Sequence, residues 1–250
     1  TASWRDRVDA ILVAWQPGIE GGNSVADILT GKVNPSGKLT MTWPIAATDH
    51  PSTANFAKEY DMYTYKNMEG WGKGNIPGVD FSNHEEDIYV GYRYFDTFKK
   101  DVAYPFGFGL SYTTFEMGKP SVKANGKNIE VSVTVKNTGK VAGKQVAQVY
   151  VTAPKGAYEK PAKELKAFGK TRELKPGESQ TLKMTLEKRD LASFDEANSQ
   201  WKVDAGNYLF QVGTDVESIK GTATLKVAEY TEKTSSACAP NVQLNYLKQK

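Results

Sequence analysis

The sequence predicts an α/β fragment followed by an all-β immunoglobulin-like sandwich, on three observations. A continuous apolar run, a glycine-rich turn and a stretch of helical apolar spacing open the chain. From about Lys119 to Val227, apolar and polar residues alternate in several short segments. Turn-forming residues separate those segments, as in a two-sheet sandwich of roughly 100 residues.

Asp9-Ala10-Ile11-Leu12-Val13-Ala14-Trp15 is the apolar run, expected of a strand buried on both faces. Gln16 to Gly22 makes a turn. Asn23 or Ser24 can cap a helix carrying Val25, Ala26, Ile28 and Leu29, and Gly31 supplies its stop. After a second turn at Asn34-Pro35-Ser36-Gly37, Leu39-Thr40-Met41-Thr42-Trp43 alternates like a strand until Pro44. One strand, one helix and one strand bury too little apolar surface to offset chain entropy. Residues 1–47 are therefore expected to be the C-terminal end of an α/β domain that other polypeptide completes.

Residues 48–117 read as a long loop and linker. The part from 48 to 85 is rich in Gly, Asn, Pro and aromatics and has no clear period. Ile88 to Phe95 reads as a β segment, and Pro105 to Leu110 as a rigid connection punctuated by glycine. The sandwich is assigned to residues 118–228. Ile129, Val131, Val133 and Val135 share one face there, and Leu182, Met184 and Leu186 repeat the pattern. So do Tyr208, Phe210 and Val212, and then Ala223, Leu225 and Val227. The single cysteine, Cys238, excludes the inter-sheet disulfide of antibody domains and points to a fibronectin type III-like variant. Residues 229–250 are polar and irregular and read as a C-terminal tail.

Composition removes several function classes. The chain has 32 basic and 29 acidic residues with no dense Lys/Arg block, so no nucleic-acid partner is expected. Its apolar runs are too short for a membrane span, and no signal peptide opens it. One cysteine and two histidines, His50 and His84, fall short of a ligand cluster, so neither metal nor cofactor is expected.

The turn Gly18-Ile19-Glu20-Gly21-Gly22 lies between the expected strand and helix, where backbone N–H groups bind phosphate. Its spacing matches neither G-x-G-x-x-G nor a P-loop. The structural reading is a tight turn at the C-terminal edge of a sheet. Open α/β sheets bind ligands at that edge, which makes Glu20 a candidate substrate contact. Asn23-Ser24 is not part of G-x-S-x-G, so no serine hydrolase triad is indicated. His84-Glu85-Glu86-Asp87 departs from H-E-x-x-H; a solvated turn or an ion pair to Arg93 explains it more simply. Trp71, Tyr63 and Tyr65 are further candidate substrate contacts, since aromatic faces pack on pyranose C–H groups. The same residues can equally pin a loop to a domain surface.

Four stretches, taken together, resemble glycoside hydrolase family three, the β-glucosidases and β-xylosidases. They are Ala10 to Gly22 running into Val25 to Leu39, Ile88 to Asp96, Tyr104 to Phe115, and Glu164-Leu165-Lys166-Ala167-Phe168 with Leu174-Lys175-Pro176-Gly177-Glu178. They occur in the family's order and cover most of residues 4–228. The resemblance implies a larger, exo-acting, retaining enzyme. A barrel domain would supply an aspartate nucleophile, and an earlier part of the α/β domain a glutamate acid/base about 5 Å away. Both are expected upstream of Thr1, so no catalytic residue is assigned here and the chain alone is expected to be inactive. The implied partners are the remainder of the enzyme, on the same gene product or a separate chain, and an oligosaccharide or glycoside substrate. The implied location is periplasmic or extracellular. Two positions depart from the family pattern: Ile19 stands where Gln is usual, and Asp87 where Gly is frequent. The competing reading is a non-catalytic carbohydrate-binding or structural module. The incomplete opening fragment speaks against it.

Overall fold

Strict alternation over Asn128–Asn137 produces the longest strand, β5, with Ile129, Val131, Val133 and Val135 all buried on one face. The structure is a computed structural model and describes residues 3–54, 84–235 and 247–248. In chain order the elements are helix α1 (Gly21–Leu29), β1 (Trp43–Pro44), α2 (Tyr92–Thr97), β2 (Val102–Tyr104), β3 (Phe115–Met117), β4 (Ser121–Asn125) and β5. Then come β6 (Val146–Thr152), β7 (Glu164–Lys170), β8 (Ser179–Glu187), β9 (Ser193–Asp195), β10 (Gln200–Val203), β11 (Gly206–Gly213), β12 (Ile219–Val227) and β13 (Tyr230–Lys233).

Two antiparallel sheets form the sandwich. In the first, β3 and β4 follow one another along one edge of β5, and β8 pairs along the other. The second has the order β12-β11-β6-β7. Between them lie Leu182, Met184 and Leu186 of β8, Val149 and Val151 of β6, and Tyr208, Phe210 and Val212 of β11, packed on the β5 valines. Burying each such side chain contributes about 1.5–3 kcal/mol, which makes this the main source of stability. A small third sheet, β13-β10-β9, flanks the core.

Strand β6 is buried on both faces. Ala147, Val149 and Val151 enter the core, while Gln148 and Tyr150 are covered from outside by the 105–109 connection and α2. Gln148 Nε2 donates to Gly107 O at 3.1 Å and Thr214 O at 2.6 Å, and Tyr150 OH donates to Gln148 Oε1 at 2.6 Å. Burial pushes the Tyr150 hydroxyl far above its ordinary pKa, so it stays a donor.

Four expectations change at the level of elements. Asp9–Trp15 is not in a sheet, and Leu12 and Trp15 are 41% and 54% exposed; no described strand lies beside the run to bury it. Of the expected strand 39–43, only Trp43 enters a regular ladder, against Tyr104, although Leu39 also exchanges bonds of 2.8 Å with Phe108 and Gly107. Helix α1 starts at Gly21, ahead of Asn23 and Ser24, and neither caps it; Gly31, at φ +75°, does end it. The β segment expected at 88–95 is replaced by α2. Gly91 turns the chain at φ +57°, and Phe95 then becomes buried on a helical face. A short aromatic run does not distinguish strand from helix. The C-terminal tail is also corrected in part: Tyr230–Lys233 pairs with β10. Its residues alternate on an exposed ladder and leave no hydrophobic signal.

Asn34 fastens the opening segment to the sandwich, and Asn137 fastens the connecting segment to it. Asn34 Oδ1 accepts from Ser111 Oγ and Tyr112 N, both at 2.9 Å, while its Nδ2 donates to Ala142 O at 2.9 Å. Asn137, fully buried at the end of β5, accepts from Thr113 Oγ1 at 2.8 Å and Gly139 N at 3.0 Å. Its Nδ2 donates to Val141 O and Leu174 O, both at 2.8 Å.

Candidate functional site

Of the sequence-derived candidates, Trp71, Tyr63 and Tyr65 lie outside the described residues. Glu20 sits at the start of α1, exposed, where Asn23 Nδ2 donates to its Oε2 at 2.7 Å. The turn before it uses Gly18 at φ +68° and leaves Ile19 fully exposed. His84-Glu85-Glu86-Asp87 is a turn, as expected, but Glu86 is buried, with its Oε1 3.0 Å from His84 Nδ1. Arg93 pairs with Glu164 at 3.5 Å instead of with this cluster.

The described residues instead form a cleft of about 480 Å³ where the opening segment meets the sandwich. Thr40 to Thr42, His50, Val90 to Arg93, Phe106, Glu164 and Leu165 line it. Helix α2 supplies one wall and is held against β7 by side chains that replace a neighbouring strand. Leu165 N donates to Tyr92 OH, and Ala162 N to Thr97 Oγ1, both at 2.8 Å. Lys163 pairs with Asp96 at 3.3 Å, and Tyr89 OH donates to Glu159 Oε2 at 2.6 Å. The Tyr92 ring packs on Phe106 with centroids 4.6 Å apart, and burial raises its hydroxyl pKa.

The polar groups of the cleft are sparsely used. Among the described residues Arg93 makes only the 3.5 Å contact with Glu164, whose other oxygen meets Lys166 at 3.1 Å. Both Arg93 and Glu164 are about one-third exposed. His50 sets its ring edge against Phe95 at 5.3 Å, and its ring nitrogens have no hydrogen-bond partner among the described residues. Among the described residues Glu164 is the one carboxylate of the lining, whereas glycoside hydrolysis uses a pair. Among the described residues no group of His, Cys, Asp or Glu is suited to a metal, and no helix is long and apolar enough to cross a membrane.

Within this lining, Thr42 is 5% exposed and its Oγ1 has no partner among the described residues. An unmade buried hydrogen bond costs more than an apolar isostere. Thr42→Val is therefore expected to raise stability by about 1 kcal/mol in urea denaturation. A fall in the midpoint would show that the hydroxyl is satisfied by water.

No spacing rule connects Arg93, His50 and Glu164, which lie far apart in the chain, so the sequence could not mark them as one site. Only the Ile88 to Asp96 and Glu164 to Phe168 stretches hinted that their surroundings matter.

Comparison with known proteins covers both parts of the chain. Residues 1–112 match the family described as Glycosyl hydrolase family 3 C-terminal domain, and residues 145–216 match Fibronectin type III-like domain. A β-glucosidase of Kluyveromyces marxianus is 41% identical over 226 residues, which are 90% of this chain and 24% of that protein. β-Glucosidase A of Butyrivibrio fibrisolvens is 43% identical over 237 residues, 86% of this chain and 26% of that protein. The solved structure of β-glucosidase 3B from Thermotoga neapolitana in complex with glucose superposes with a TM-score of 0.82 at 46% identity, over 94% of this chain and 30% of that one. The chain spans about a quarter of the length of the curated relatives it matches. With both domains matched in order and the fold reproduced, the chain belongs to glycosyl hydrolase family 3, of which it carries the C-terminal domain followed by the fibronectin type III-like domain.

Proposed function

We propose that this chain is the C-terminal part of a retaining, exo-acting β-glycosidase, a β-glucosidase or β-xylosidase that removes terminal β-linked sugars. The observation that carries this reading is identity of about 40% to proteins named β-glucosidases across both domains. The catalytic aspartate and glutamate belong to the remainder of the enzyme. The exposed apolar residues of the opening segment support that division. Trp15, Ile19 and Leu29 are about half to fully exposed, as on a domain whose other elements are elsewhere. The role of this chain is to complete the α/β domain and brace it through the Asn34 contacts. Glu20 lies on that open side as a candidate substrate contact, and a periplasmic or extracellular location suits a glycoside-degrading enzyme.

The module reading needs free aromatic faces on the sandwich. The Trp201 ring is already covered by Arg189, whose guanidinium carbon lies 4.0 Å from the ring centroid, and flanked by Phe194 at 5.1 Å.

The purified chain is expected to release no p-nitrophenol from p-nitrophenyl β-glucoside or β-xyloside above the uncatalysed rate. Turnover by the chain alone would place a catalytic carboxylate pair within it and overturn the reading.

A further inference from the structure

The cleft between α2, β7 and the 40–42 segment has features that the hydrolytic reading does not use. Its walls are mixed: Tyr92, Phe106, Met41, Val90 and Leu165 supply apolar surface, while His50, Arg93 and Glu164 supply polar heads. At about 480 Å³ it falls within the range of small-molecule sites.

The charges decide what kind of ligand fits. Arg93 and Glu164 stand side by side at 3.5 Å, with Lys166 on the other oxygen of Glu164 at 3.1 Å, so a bound anion would meet the carboxylate and a bound cation the guanidinium. Their separation exceeds that of a good charge-assisted hydrogen bond, so neither group is saturated by the other. Arg93 retains N–H donors and Glu164 retains acceptor capacity. A neutral group that accepts and donates at adjacent atoms satisfies both at once, and a vicinal diol is such a group. His50 offers a further ring nitrogen, and the Tyr92 and Phe106 side chains supply apolar surface for C–H groups.

We propose that this cleft binds a neutral sugar ring, with a pair of adjacent hydroxyls bridging Arg93 and Glu164 and a third group reaching His50. The choice of a sugar among neutral diols rests on the β-glycosidase reading; the geometry of the site does not.

The test is a titration of the isotopically labelled full 250-residue chain with methyl β-D-glucopyranoside, followed by two-dimensional NMR including the arginine Nε–H signals. Saturable shifts at Gly91, Arg93 and Leu165 are expected, with an affinity in the roughly millimolar range. Arg93→Lys keeps the charge but removes the planar fork, and Glu164→Gln keeps the shape but removes the carboxylate. Each is expected to weaken binding about tenfold while the core signals of Val133, Val149 and Phe210 stay in place. No shift up to roughly 100 mM sugar would overturn the site, as would shifts centred elsewhere or undiminished affinity in both variants. Sodium acetate provides the counter-test, and tighter binding of acetate than of the glucoside would overturn the neutral-ligand assignment. Because no hydrolysis is measured, failure of this titration leaves the glycosidase reading standing, and turnover by the lone chain would leave this site untouched.

Discussion

Asn137→Ala is expected to destabilise the chain by about 4 kcal/mol, because it removes four hydrogen bonds at the buried end of β5 at once. The side chain is fully buried and bonded to the Thr113 hydroxyl, the Gly139 amide and the Val141 and Leu174 carbonyls. Alanine removes every one of these bonds and brings none in return. The space is too tight to relax: a Cβ on Gly139 would lie 2.2 Å from Thr113 Oγ1. Total stabilities of single domains are about 5–15 kcal/mol, so this one change removes a large share. Urea denaturation gives the measurement, read as a fall in midpoint at unchanged slope. A loss below about 1 kcal/mol would mean that water enters and replaces the amide.

Gly107→Ala is expected to lower stability by about 3–5 kcal/mol, or roughly 10 °C in melting temperature. Two penalties combine. Gly107 has φ +84°, a region in which an L-residue is strained by about 1–2 kcal/mol. A Cβ there would also stand 2.2 Å from Gln148 Oε1, which accepts from Tyr150 OH. Gln148 cannot retreat without breaking its bonds to Gly107 O and Thr214 O. Gly177→Ala separates the two causes, since Gly177 has φ +82° with no atom within 4 Å of its would-be Cβ. It should lose only the backbone part, about 1 kcal/mol. Equal losses at the two glycines would refute the packing argument.

The sandwich was legible in the sequence because its signal is local. Ile129 to Val135, Leu182 to Leu186 and Tyr208 to Val212 alternate with a period of two, and the structure buries those positions. The turn at Gly31 was legible for a similar reason, since its φ of +75° favours glycine. The opening run at 9–15 misled because apolar character reports burial, and the surfaces that would bury it are not among the described residues. The segment at 88–97 misled because its fate depends on partners: Tyr92, Thr97 and Asp96 are held by residues 162–165. The cleft has the same origin. Arg93 and Glu164 read as ordinary surface charges in sequence, and only the docking of a helix on a strand gives them a common space. Glu20 was singled out from its glycine-rich turn, yet Asn23 is its hydrogen-bond partner in the structure.

Helix α2 also has a consequence for how the sandwich avoids its own kind. Strand β7 ends the sheet β12-β11-β6-β7, and an edge strand offers outward N–H and C=O groups to any passing chain. Here the Leu165 amide is taken by the Tyr92 hydroxyl, and the adjoining Ala162 amide by that of Thr97. The ion pairs of Arg93 and Asp96 add charge along the same border. A strand in that position would propagate the sheet, whereas a helix stops it: its own backbone groups are turned inward, and side chains alone reach out. The segment that joins the two domains is thus a guard against self-association. The sandwich cut free ahead of β3 would keep its hydrophobic interior and lose the protection of this border.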